Sequence, residues 1–95
     1  MNTKTIQDIL QNHQSELAAF GVEKLFIFGS VARGETTPES DLDFLAELKF
    51  YSFKNFMELK FALETWFGKD VDLGTLQQLK PIIRQAVEKD LLRVA

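Results

Sequence analysis

The chain has 95 residues, 45% of them hydrophobic, enough for one domain with one core and too few for separate catalytic and recognition domains. Eleven basic residues against fourteen acidic ones give a formal net charge of -3. That balance argues against an extended footprint on nucleic acid and leaves room for a local phosphate pocket. The absence of cysteine excludes a disulfide framework and thiolate metal sites, and suits a reducing compartment.

Met1-Asn2-Thr3-Lys4 leads into an amphipathic pattern rather than a signal-peptide core, and no apolar run approaches the roughly 18 residues of a membrane span. A soluble cytoplasmic protein with no membrane and no direct nucleic-acid partner is therefore expected. Ile6, Ile9, Leu10, His13, Leu17 and Phe20 recur at helical spacing, and Gly21 follows where a C-terminal glycine belongs, so the chain opens on an amphipathic helix. Leu25-Phe26-Ile27-Phe28 has no alternation and reads as a short strand buried on both faces, ended by Gly29-Ser30. Residues 31–40 hold Gly34, Thr36, Thr37, Pro38 and Ser40, which allow at most a short helical turn before a polar loop.

A second strand fits residues 41–48, and a helix fits 53–67 with Ser52 as N-cap and Gly68 as terminator. A third strand fits 70–73. Thr75 and Gln78 have capping-box spacing, and Pro81 suits the first turn of a helix whose apolar face is Ile82, Ile83, Ala86 and Val87. Residues 91–94 suit a small edge strand. No repeat, low-complexity segment or linker interrupts this order, which predicts a single α/β (α+β) domain over 1–95, a small mixed sheet with helices packed on it.

Asp41 and Asp43 stand two apart on a predicted strand, so their carboxylates leave the same face about 7 Å apart along the backbone. Two such carboxylates repel each other and lose hydration, and a divalent cation between them removes both penalties. Oxygen ligands alone favour Mg²⁺ or Mn²⁺ over zinc. Upstream, Gly29-Ser30 ends an apolar strand where bare backbone and a hydroxyl suit phosphate oxygens, although an ordinary turn would use the same residues. Asp72, between Val71 and Leu73, must emerge opposite its apolar neighbours. If its strand lies beside that of Asp41, the three carboxylates share a face, with Asp72 placed to take a proton from an attacking hydroxyl. Asp70 has the same parity, but its place at the start of the strand favours a cap or loop.

The run Phe28-Gly29-Ser30-Val31-Ala32-Arg33-Gly34-Glu35, ten residues between Ser30 and Asp41, and Asp41-Leu42-Asp43-Phe44 resemble the nucleotidyltransferase signature. Val71-Asp72-Leu73 is similar to its third acidic strand. The resemblance is to the minimal nucleotidyltransferases of the DNA polymerase beta superfamily. It implies Asp41, Asp43 and Asp72 as catalytic and metal-binding residues for two Mg²⁺ ions, with Gly29 and Ser30 on the phosphates of ATP. Arg33, one helical turn past Ser30, is placed to add charge-assisted hydrogen bonds, or to stay a solvated loop arginine.

The family also implies an antitoxin role in a type VII-like toxin-antitoxin pair, with AMP transferred to a tyrosine of a HEPN-domain ribonuclease toxin and a hetero-oligomer of the two. Two alternatives share these residues, a binding-only antitoxin and transfer to a small antibiotic-like molecule. The second usually needs an added domain.

Several features are set aside. His13 reads as a satisfied or partly exposed ring. Lys80, Arg84, Lys89 and Arg93 read as solvated helix charges. On the second long helix Phe56, Leu59, Ala62, Leu63, Trp66 and Phe67 fill one face, while Met57 and Phe61 form a flanking pair read as a wider core contact in preference to a partner surface.

Overall fold

The computed structural model of the chain describes residues 2–29, 41–89 and 91–95. Ser30 and Arg33 lie outside these. The elements run α1 (Thr3–Gln11), α2 (Gln14–Ala19), β1 (Val22–Phe28), β2 (Leu42–Leu48), α3 (Phe53–Phe67), β3 (Val71–Thr75), a 3₁₀ turn (Leu76–Gln78), α4 (Pro81–Glu88) and β4 (Leu92–Arg93). The sheet order is β3-β2-β1-β4, mixed as expected: β2 and β4 are antiparallel to β1, and β3 is parallel to β2.

The opening helix is broken. Asn2 caps α1 by accepting the Thr5 amide at 2.9 Å, but the helix stops at Gln11 and restarts at Gln14. His13 stands at the break, as the N-cap residue of α2. Its ring stacks on Trp66 of α3 with centroids 4.0 Å apart and planes 9° apart, and its Nδ1 lies 2.8 Å from Glu16 Oε2.

The main core cluster lies on one face of the sheet, and Leu45 of β2 is buried on the other. Leu25 and Ile27 of β1, Leu42, Phe44, Ala46 and Leu48 of β2, and Val71 of β3 point to one side by the strand alternation and are buried there. Ile6 and Leu10 of α1 with Leu59, Leu63 and Phe67 of α3 complete the cluster, and the Phe44 and Phe67 rings meet at 5.6 Å. β1 is thus not buried on both faces, as its unbroken apolar run suggests: Phe26 and Phe28 are only half-buried on the other side.

Ser52 Oγ accepts the Asn55 amide at 3.0 Å and Gly68 ends α3 in the left-handed region, φ 64°, so both predicted ends of this helix hold. The capping box at Thr75 and Gln78 does not form. Thr75 is buried and makes no cap hydrogen bond, and a 3₁₀ turn fills the position instead. Pro81 does open α4, yet none of that helix is buried and Ile82 is 76% exposed, so its apolar face carries no core contact. Among the described residues no helix is long and apolar enough to cross a membrane.

Candidate active site

β1, β2 and β3 bring the end of β1, Asp43 and Asp72 into one row. In register, Phe28 at the end of β1 faces Asp43 of β2, and Asp43 faces Asp72 of β3. Directly paired residues point to the same face, so the Asp43 and Asp72 carboxylates stand side by side on adjacent parallel strands, opposite the core. Leu42 and Val71, the preceding residues, are buried on the core side and anchor this direction. Asp43 is half-buried and Asp72 exposed. Asp41 immediately precedes β2 and is exposed, so it sits at the rim of the row rather than on a strand. Asp70 is likewise before its strand, and its carbonyl accepts the Leu42 amide at 3.3 Å.

Gly29 follows Phe28 with φ 77°. A Cβ there would lie 2.6 Å from Asp43 Oδ2, closer than real contacts allow. The bare backbone at position 29 and the Asp43 carboxylate therefore occupy touching space, which a side chain at position 29 would fill. Among the described residues no three carboxylate or imidazole side chains gather closely enough to hold a metal ion by themselves. The adjacent pair Asp43 and Asp72, all oxygen and backed by the cradle at Gly29, suits a hard divalent cation that takes its other ligands from phosphate oxygens and water.

Two features at the site have no clear signal in the sequence. Glu64 of α3 accepts the Val71 amide at 3.2 Å through Oε2, which secures the outer edge of β3 one residue before Asp72; Lys60 Nζ lies 3.9 Å from the same oxygen. Beside Asp72 opens a cavity of about 470 Å³, lined by Phe28, Phe56, Met57, Lys60 and Leu79 among others. The Met57 and Phe61 pair divides: Met57 is half-buried and lines this cavity, while Phe61 is 56% exposed, so the pair is not the wider core contact that was expected. Of the basic residues near the C-terminus, Arg84 pairs with Glu88 at 3.2 Å and Arg93 donates to the Ala95 carbonyl at 3.0 Å; all four are exposed, but Arg93 lies on β4 rather than on a helix.

Comparison with known proteins identifies the family and the fold. The family described as Polymerase beta, Nucleotidyltransferase matches residues 4–92. A Methanocaldococcus jannaschii protein assigned as a protein adenylyltransferase is 37% identical over 94 residues, covering 94% of each chain. The protein adenylyltransferase MntA of Thermococcus cleftensis is 35% identical, covering 99% of this chain and 97% of its own. A solved structure assigned as a minimal nucleotidyltransferase superposes with TM-score 0.81 at 32% identity, over 97% of this chain and 95% of that one. The fold is also shared, at 17% identity and TM-score 0.60 over 90% of this chain and 71% of the other, with a chain from the complex of a tri-AMPylated Shewanella oneidensis HEPN toxin and its MNT antitoxin. The chain belongs to the polymerase beta nucleotidyltransferase family and has the fold of its minimal members.

Proposed function

We propose that this chain transfers AMP from ATP to a tyrosine hydroxyl of a HEPN-domain toxin and thereby serves as that toxin's antitoxin, in the cytoplasm. The reading is supported by relatives named protein adenylyltransferases that match nearly end to end, and by the AMPylated toxin held in the complex that shares the fold. The observation that carries it is the row of Gly29, Asp43 and Asp72 across three strands.

Gly29, with Ser30 next in the sequence, would offer backbone and hydroxyl donors to the phosphate tail, and Arg33 would add a charge to it. Asp41, Asp43 and Asp72 would hold one or two Mg²⁺ ions, which when bound neutralise the triphosphate and stabilise the departing pyrophosphate. Asp72 takes the proton of the attacking hydroxyl as its oxygen bonds to the α-phosphorus and the bond from that phosphorus to pyrophosphate breaks.

The test is label transfer from α-labelled ATP to a purified HEPN-domain protein. Asp43→Asn and Asp72→Asn should each lower the rate at least about a hundredfold, near 2.7 kcal/mol of barrier, with the melting temperature nearly unchanged. Undiminished labelling by both variants would overturn the assignment.

A further inference from the structure

Among the described residues β3 is the edge of the sheet on the side of the acidic row, five residues long and paired to β2 alone. The Leu42 amide donates to the Asp70 carbonyl at 3.3 Å, so residues 70 and 72 turn their peptide groups toward β2 and Val71 turns its own toward the free edge. Val71 is nonetheless only 2% exposed, and the edge amide of a buried residue needs an acceptor that no strand supplies there. Glu64 of α3 is that acceptor, with its Oε2 3.2 Å from the Val71 nitrogen. Lys60 Nζ, one helical turn back, lies 3.9 Å from the same oxygen, and the two side chains are 32% and 25% exposed, so the ammonium steers the carboxylate without burying it.

This bracket fixes the place of Asp72. Asp72 is the second residue of β3, and Glu64 holds the first. Strand ends open at low free energy, and here the chain passes from α3 to β3 through residues 68–70 alone, so the carboxylate ties the last turns of the helix directly to the start of the strand. Lys60 lines the cavity beside Asp72, whereas Glu64 does not, and its oxygen is engaged by the backbone. Holding Asp72 is thereby separated from touching what Asp72 acts on. We propose that Glu64 is a positioning residue for the transfer reaction: through the Val71 amide it keeps Asp72 level with Asp43, and the two carboxylates converge only while that bond is made. A misplacement near 1 Å costs a reacting group roughly a hundredfold in rate, so a loosened strand start is felt in turnover before it is felt in the fold. The kinetic part of the inference rests on the transferase reading above; the structural part does not.

The experiment compares the full chain with Glu64→Ala, with Glu64→Gln, whose amide oxygen can still accept the Val71 N–H, and with His13→Ala, which removes a helix contact away from the row. Three quantities are read: kcat and KM for label transfer from α-labelled Mg-ATP to a purified HEPN-domain protein, hydrogen exchange at the Val71 and Asp72 amides, and the melting temperature. Glu64→Ala should lower kcat at least about tenfold with KM for Mg-ATP within about twofold of wild type, because orientation and not binding is lost. It should remain folded at the assay temperature and speed exchange at both amides more than at Phe44 in the core. Glu64→Gln should restore most of kcat and slow exchange back toward wild type. His13→Ala should keep the wild-type kcat despite a lower melting temperature. Unchanged kcat in Glu64→Ala overturns the proposal. So does a loss shared equally by Glu64→Gln, which would assign the effect to charge, or by His13→Ala, which would assign it to stability, or faster exchange at Val71 with Asp72 unaffected. If the wild-type chain moves no label, the transferase reading falls, and exchange at Asp72 alone decides whether Glu64 holds that residue in place.

Discussion

A methyl group at position 29 would meet two obstacles at once. The backbone sits at φ 77°, where a side chain costs roughly 1–2 kcal/mol, and the new carbon would press on Asp43 Oδ2 at 2.6 Å. Gly29→Ala should therefore lose about 1–2 kcal/mol of stability, seen as a melting temperature lower by roughly 4–16 °C, and lose far more in transfer. The second effect belongs to the carboxylate. In an Asp43→Asn background, already slow, the added glycine substitution should slow transfer little further, since both changes act on one group; fully additive losses would show that Gly29 acts elsewhere. The sequence pairs glycine with Asp43 only through a family pattern. Their physical contact depends on β1 and β2 folding back on each other, which no local propensity states.

At the scale of elements, the two helix features most easily read were the ends of α3, because caps are local chemistry: Ser52 and Gly68 act within four residues of themselves. The break between α1 and α2 was not readable, because its visible partner, Trp66, lies 53 positions from His13 and docks only after the helices pack. His13→Ala should cost about 0.5–1.5 kcal/mol in urea unfolding, the worth of an aromatic stack, whereas a value near zero would mean that the break is set by Asn12 and the backbone alone. Glu64 is similar in kind. Its carboxylate meets an amide of the edge strand seven residues on, so Glu64→Ala should free the Val71 N–H, cost about 1 kcal/mol and speed hydrogen exchange at that amide. Unaltered exchange at Val71 would show that the contact does not hold the strand.

For the whole molecule, the main core cluster makes Phe44 a point of failure. It is fully buried at the centre of the sheet and packs on Phe67 of α3, so Phe44→Ala should cost about 3–5 kcal/mol out of a total near 5–15. Calorimetry should show the loss in a single transition, because strands and helices share one cluster. An independent transition for α3 would contradict that. The opposite face of the sheet was misjudged from sequence at β1: the unbroken run from Leu25 to Phe28 suggested cover on both sides, but Phe26 and Phe28 are only half-buried beside the carboxylates.

What the sequence determined by itself was the parity of the acidic residues, the ends of α3, the order of strands and helices along the chain, and the resemblance that joins Gly29 to Asp43 and Asp72. Each depends on spacing along the chain or on chemistry within one turn of it. What only the tertiary structure decided was that β3 lies parallel beside β2 with Asp72 level with Asp43, that Gly29 backs onto that carboxylate, and that Met57 opens toward the site while Phe61 stays in solvent. These are pairings between distant segments, and a strand's register or a helix's second face is set by what packs against it.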